Sequence, residues 1–115
     1  MLKILHNNSC SKSRSVLEYL DENGVEFELI DIVNDPLSVL EIQTLLKKLD
    51  LGPLDIVRKN EPLYKSTYAD KNLTDAEWIE VLSKNSNLIE RPILIKGSLA
   101  MVARPIEKAK FFIEA

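Results

Sequence analysis

The sequence predicts an α/β fold in which a strand–helix–strand unit is followed by a helical segment and then by a hairpin and a final helix. Two observations support this prediction. The apolar residues change from strand spacing to helix spacing and back near the N-terminus, and strand spacing returns near the C-terminus after a helical middle. A length of 115 residues with 45% hydrophobic residues is sufficient for one domain with its own core.

The first three elements form a predicted βαβ unit. Residues 2–6 (LKILH) are a short strand, and a helix begins at Ser11 with apolar residues at helical spacing and ends at Asn23 and Gly24. Residues 25–32 (VEFELIDI) alternate between apolar and acidic side chains, which is typical of a half-buried strand. The two strands should therefore be parallel with a right-handed crossover.

The middle of the chain is predicted to be helical. Ser38 with Glu41 has the spacing of a capping box, and the helix that follows should end at Gly52 and Pro53. Short helical turns are expected near residues 54–58 and 62–68. A second capping box, Thr74 with Glu77, begins a helix that should bury Trp78, Val81 and Leu82.

The C-terminal part is predicted to be a hairpin and a helix. Residues 92–95 and 99–102 are strand candidates, and the Lys96-Gly97-Ser98 turn joins them. Pro105 can begin the last helix, over residues 106–113.

Charge and targeting narrow the class of protein. A net charge of −3 does not favour nucleic-acid binding, but residues 1–17 carry Lys3, Lys12 and Arg14 without a carboxylate and should attract anions. No segment has the pattern of a signal peptide or a membrane span, so we expect a cytoplasmic protein with a reduced cysteine.

Cys10 is the single cysteine, and it lies where the first strand passes into the first helix. A free cysteine is commonly a buried apolar residue, but the neighbours of Cys10 are polar or cationic. Helix N-terminal amides and nearby cations favour a thiolate, and the same amides bind oxyanions. Ser13 excludes a Cys-x-x-Cys disulfide exchanger, and Val16 excludes a phosphatase-type loop, which needs arginine there. One cysteine also excludes a multi-cysteine metal site, and no metal is expected.

His6 is the single histidine and lies four residues before Cys10. Two interpretations stay open: a structural hydrogen-bonding residue, or a cation that lowers the pKa of the thiol. No third member of a catalytic triad is identifiable.

Four blocks of the sequence resemble one known family. The blocks are HNNSCSKSR (6–14), VRKNEPLY (57–64), LIERPI (88–93) and ARP (103–105), and their order and spacing match those of the glutaredoxin-coupled arsenate reductases. The resemblance covers essentially the whole chain. It implies a thioredoxin-like fold with a mixed four-stranded sheet, as a single domain of residues 1–115 with a helical insertion at roughly 36–85.

The resemblance also implies the site and the reaction. Arg58, Arg91 and Arg104 would converge on Cys10 and hold the oxyanion. The Cys10 thiolate would attack arsenate, and glutathione and a glutaredoxin would supply the electrons, with no bound cofactor. His6, Ser13 and Arg14 would tune the thiol, and Pro92 would be a cis-proline near it. We also expect a monomer that acts in arsenic resistance, and the net charge of −3 and the short apolar runs favour neither a nucleic-acid nor a membrane partner.

Two positions depart from the family pattern, and two other functions stay open. Asn8 stands where the family usually has proline, and Ala103 stands where it has glycine, so Ala103 is strained if that position needs a positive φ. One alternative is a non-enzymatic stress regulator that binds RNA polymerase. Such relatives commonly carry a Cys-x-x-Cys switch, and here Ser13 stands in place of its second cysteine. The other is a glutathione-dependent thiol reductase with a different substrate.

Overall fold

The computed structural model describes residues 2–6, 11–103, 110, 112 and 113, and the side chains from residue 14 onward within the second stretch. Their contacts divide the chain into two compact units. One consists of the described residues of Met1–Asp35 and Arg91–Ala115 and is called the sheet unit below. The other is Pro36–Glu90 and is called the helical unit.

The sheet unit contains one four-stranded mixed sheet. Its strands are β1 (Leu2–His6), β2 (Phe27–Asp31), β3 (Ile93–Lys96) and β4 (Leu99–Val102), in the spatial order β2-β1-β3-β4. Strand β1 is parallel to β2 and antiparallel to β3, and β3 forms an antiparallel hairpin with β4. The predicted mixed sheet and its order of elements are confirmed.

Helix α1 (Ser11–Glu22) connects β1 to β2 and covers one face of the sheet. As predicted, the chain leaves the helix at Asn23 and Gly24, and Gly24 has a φ of 65°. The core on this face joins β1, α1, β3 and the C-terminal helical residues; its buried members are Leu2, Ile4, Val16, Leu20, Leu94, Ala103 and Ile113. Of the predicted last helix, residues 110, 112 and 113 are helical and the others lie outside the described residues.

The helical unit is built around α2 (Val39–Leu49) and α3 (Asp75–Lys84). Both predicted capping boxes are present: Ser38 Oγ accepts from the Glu41 N–H at 3.1 Å, and Thr74 Oγ1 accepts from the Glu77 N–H at 3.2 Å. Short 3-10 helices lie at Pro53–Ile56 and Ser86–Leu88, and a π-helical turn lies at Tyr64–Tyr68. Within the described residues, no helix is long and apolar enough to span a membrane.

Two details of the predicted helices are wrong. Helix α2 ends at Leu49 rather than at Gly52 and Pro53, because Asp50 adopts the left-handed conformation (φ 57°) and its N–H closes the helix. In α3, Ile79 is buried with Trp78 and Leu82, whereas Val81 is half-buried. The centre of the apolar face of α3 therefore lies about 50° around the helix from the predicted position, because Ile79 replaces Val81 beside Trp78 and Leu82.

Ala103 is not strained by its departure from the family pattern. Among the described residues, Asp50 is the one non-glycine residue with a positive φ, so Ala103 occupies an ordinary backbone conformation. Its N–H donates to the Pro92 carbonyl at 2.9 Å, and its side chain is 2% exposed. Alanine therefore fits this position and contributes its methyl group to the core of the sheet unit.

Replacing Ala103 with glycine is expected to destabilise the protein by about 1–2 kcal/mol. The change removes one buried methyl group, worth about 0.8 kcal/mol, and gives the unfolded chain more backbone freedom, worth about 0.4–1 kcal/mol. Urea unfolding of wild type and Ala103→Gly measures the difference. An equal or higher stability of the glycine variant would show that the position prefers the family residue.

Candidate functional site

The structure describes only some of the predicted site residues. Cys10 and Arg104 lie outside the described residues, and of Ser13 only the helical backbone is described. Arg14 is exposed on α1, Arg58 belongs to the helical unit, and Arg91 is the first residue of the second part of the sheet unit. The convergence of the three arginines on Cys10 therefore stays a prediction.

Helix α1 begins at Ser11, the residue that follows Cys10 in the sequence. The first turn of this helix contains no acidic residue, so no carboxylate there opposes the positive end of the helix dipole. The N–H groups of a first helical turn have no partners within the helix and are available to an anion. This segment can therefore stabilise negative charge next to the position of Cys10 in the chain.

His6 is the last residue of β1 and is 2% exposed. Because side chains alternate along a strand, His6 lies on the same face as Leu2 and Ile4, which is the face that α1 covers. Its carbonyl accepts the Ile32 N–H at 3.2 Å, and its Nδ1 has no hydrogen-bond partner within the part of the chain that the structure describes. One ring nitrogen of a buried imidazole is thus left for another group.

Burial lowers the pKa of His6 below its ordinary value of 6.5, and the nearby Asp31 carboxylate opposes this shift only in part. Asp31 is the register partner of His6 on β2, and the Val33 N–H that it accepts holds its own pKa low. The imidazole is therefore mainly neutral at pH 7. Burial therefore favours a neutral hydrogen-bonding role for His6 over that of a cation.

The stability of the protein is expected to fall between pH 7 and pH 5 because of His6. The unfolded chain binds a proton at the ordinary pKa of 6.5, and the folded protein binds it only at lower pH. The contribution of neutral His6 to the free energy of unfolding is therefore fully present above pH 6.5, and it is lost as the pH falls through the lowered pKa of the folded protein. The variant His6→Gln should show a flatter profile in urea unfolding between pH 5 and 7.

His6 can be isolated in this pH range because it is the single histidine of the sequence. Asp31 does not contribute there, since its pKa is lowered from 3.8 and it remains ionised. Parallel pH profiles of wild type and His6→Gln would contradict the assignment.

Arg91 occupies a buried position immediately before β3. The residue is 5% exposed, and the peptide bond that joins it to Pro92 is cis, as predicted. Because charged side chains are rarely buried without a specific partner or ligand, a solvated surface charge is excluded for this arginine. Pro92 is itself buried, and its carbonyl accepts the N–H of Ala103, which fixes the start of the hairpin.

Arg58 lies between two carboxylates of the helical unit. Its Nη1 lies 3.6 Å from Oε1 of Glu61, and its Nε lies 4.0 Å from Oε1 of Glu90. The Arg58 side chain is 20% exposed, so it is held at the surface rather than extended freely into solvent. Sequence reasoning selected Arg58 but missed both glutamates. The sequence could have indicated only the contact with Glu61, because side chains three residues apart can meet on a helical turn.

No metal site is found in the part of the chain that the structure describes. There, no three side chains of the types His, Cys, Asp and Glu are grouped so that they could hold an ion.

Comparison with known proteins relates the chain to one family. The profile of the ArsC family matches residues 5–112 of the chain. An arsenate reductase of Haemophilus influenzae is 39% identical over 106 residues, which cover 90% of this chain and 91% of that protein. The Escherichia coli K12 protein YfgD is 38% identical over 109 residues, which cover 93% of this chain and 92% of that protein.

A solved structure shows the same architecture. The arsenate reductase from Vibrio cholerae is similar with a TM-score of 0.88 and 32% sequence identity, over 97% of this chain and 96% of that chain. The thioredoxin-like fold with a mixed four-stranded sheet, predicted from the resemblance, is therefore confirmed.

Proposed function

The chain belongs to the ArsC family, and we propose that within this family it is a cytoplasmic arsenate reductase that uses one cysteine and draws its electrons from glutathione and a glutaredoxin. The observation that carries the proposal is the position of Cys10, the single cysteine, directly before the N-terminus of α1 in the sequence. Similar proteins over most of the chain are named arsenate reductases, which supports arsenate as the substrate.

The first step of the proposed reaction is a nucleophilic attack. The Cys10 thiolate attacks As(V) of arsenate, a sulfur–arsenic bond forms, and one oxygen leaves as water or hydroxide. A thiol near a helix N-terminus ionises more readily than a free thiol, and α1 adds no carboxylate in its first turn that would oppose this. His6, as a neutral buried base, offers a hydrogen-bonding nitrogen four residues before the nucleophile.

The remaining steps supply two electrons from outside the chain. Glutathione displaces a second oxygen from arsenic, and a glutaredoxin thiol then attacks the glutathione sulfur. The two thiols become a mixed disulfide, As(V) becomes As(III), and hydrolysis releases arsenite and restores Cys10. With one cysteine in the sequence, the protein has no second thiol of its own to form an internal disulfide.

Arg58, Arg91 and Arg104 are proposed to hold the oxyanion. A guanidinium donates two parallel, charge-assisted hydrogen bonds to a tetrahedral oxyanion, and it stabilises the charge that builds up in the transition state. The burial of Arg91 and the restraint of Arg58 support this role, because neither has the freely solvated side chain of an ordinary surface arginine.

Arsenite production by the purified protein tests the proposal. The assay contains arsenate, glutathione and a glutaredoxin, and each thiol component is omitted in turn. We expect arsenite only in the complete mixture, with phosphate as a competitor because it has the same shape and charge. A rate equal to that of the mixture without protein would overturn arsenate reduction. A rate that persists without glutaredoxin would overturn the proposed electron donor.

A further inference from the structure

The guanidinium of Arg58 is restrained at two of its nitrogens. Nη1 faces Glu61 at 3.6 Å and Nε faces Glu90 at 4.0 Å. Both glutamate side chains are 23% exposed, so all three groups are only partly exposed to water. The distances are those of ion pairs rather than of short hydrogen bonds.

The backbone of the helical unit places the three groups together. The Arg58 N–H donates to the Leu88 carbonyl at 2.6 Å, and the Glu90 N–H donates to the Ile56 carbonyl at 2.7 Å. These two hydrogen bonds flank an antiparallel bridge between the buried residues Val57 and Ile89. The Glu61 N–H also donates to the Arg58 carbonyl at 3.1 Å. The carboxylates are therefore brought to Arg58 by the fold and not by chance contacts of mobile side chains.

We propose that Glu61 and Glu90 are positioning residues, which hold the guanidinium of Arg58 in place for an oxyanion. The inference rests on the proposed function in one respect, since it takes Arg58 to be an anion ligand. A freely rotating arginine loses much of its conformational freedom when it binds a ligand. An arginine that is already held loses less, so the two carboxylates strengthen anion binding through Arg58.

The same carboxylates have an opposing effect. Two negative charges around one positive charge repel an approaching anion, although solvent and salt screen partly exposed charges. The two effects change anion affinity in opposite directions. The direction of the change on removing one carboxylate therefore distinguishes a positioning role from simple repulsion.

A double-mutant cycle measures the effect through Arg58. We expect Glu90→Gln to weaken the binding of arsenate and of inorganic phosphate by about 2- to 5-fold in calorimetry, the usual size for one partly exposed ion pair. In the Arg58→Ala background the same change should have less than about 1.5-fold effect, because the group that Glu90 positions is gone. Restoring a carboxylate with Glu90→Asp should recover part of the affinity.

A matched control comes from another ion pair of the helical unit. Glu80 pairs with Lys84 at 3.0 Å on an exposed face of α3, so Glu80→Gln removes an ion pair without touching Arg58. Anion binding should be unchanged in this variant. The mobility of the Arg58 Nε–H, followed by nitrogen-15 NMR and assigned by its loss in Arg58→Ala, should rise in Glu90→Gln and stay the same in Glu80→Gln.

Several outcomes overturn the inference. They are equal effects of Glu90→Gln in both backgrounds, tighter anion binding by Glu90→Gln, an unchanged mobility of Arg58, and a wild-type protein that binds neither anion. Failure of the proposed function is a separate result. A protein that binds arsenate but produces no arsenite is not an arsenate reductase, and the binding cycle and the NMR measurement then still decide the role of the glutamates.

Discussion

Replacing Cys10 with serine is expected to lower the rate of glutathione-dependent arsenite production by at least about 10³-fold, which is the usual size for the loss of a catalytic nucleophile. A serine hydroxyl stays protonated at neutral pH and cannot form the sulfur–arsenic bond from which glutathione would continue. Because the sequence contains 1 Cys, no other residue of the chain can replace it. The measurement is the initial rate of arsenite formation at saturating glutathione and glutaredoxin.

Two controls separate lost chemistry from lost structure. The free energy of unfolding of Cys10→Ser in urea should lie within about 0.5 kcal/mol of that of wild type, because the change replaces one side-chain atom. Alkylation of the wild-type thiol should abolish activity, and arsenate should slow that alkylation. A serine variant that retains a tenth of the wild-type rate would exclude Cys10 as the nucleophile.

Replacing Trp78 with alanine is expected to lower the free energy of unfolding by about 3–5 kcal/mol. Trp78 is 2% exposed on α3, and its ring lies against two tyrosines. The Tyr64 ring centroid is 6.3 Å away in a stacked arrangement, and the Tyr68 centroid is 5.7 Å away in a tilted one. Alanine would remove both ring contacts. It would also leave a cavity that the surrounding close-packed side chains cannot fill completely. Far-UV circular dichroism during urea unfolding measures the loss.

The loss is large compared with the total stability of a small domain, so a milder variant is needed beside it. Trp78→Phe keeps an aromatic ring between the tyrosines and should lose clearly less stability than alanine. Leu40→Ala is the matched control in the same unit, since Leu40 is 71% exposed and should change stability by less than about 0.5 kcal/mol. A loss below about 1 kcal/mol in Trp78→Ala would contradict the burial of Trp78 between the two tyrosines.

The parts of the fold that the sequence predicted correctly depend on short-range chemistry. The capping boxes at Ser38 and Thr74 need only a hydroxyl and a carboxylate three residues apart, and both formed as predicted. The end of α2 was wrong because glycine is the usual residue in the left-handed conformation, whereas here Asp50 adopts it. A propensity gives the preferred residue, and the local hydrogen bonds decide which residue is used.

The candidate site was less predictable because its contacts are distant in the sequence. The chain position of Cys10 before a helix follows from the change of apolar spacing, and α1 indeed begins at Ser11. The pairing of Arg58 with Glu90 depends on the bridge between Val57 and Ile89, which no local pattern encodes. The neutral state of His6 depends in the same way on burial, which only the packed sheet unit creates.

The position of Trp78 makes the helical unit optically distinct. It is the single tryptophan of the sequence, so fluorescence excited at the red edge of the absorption band comes from the helical unit alone. Circular dichroism, in contrast, reports on the strands and helices of both units. Comparing the two signals during denaturation of the wild-type protein would therefore measure the cooperativity between the units without any introduced label.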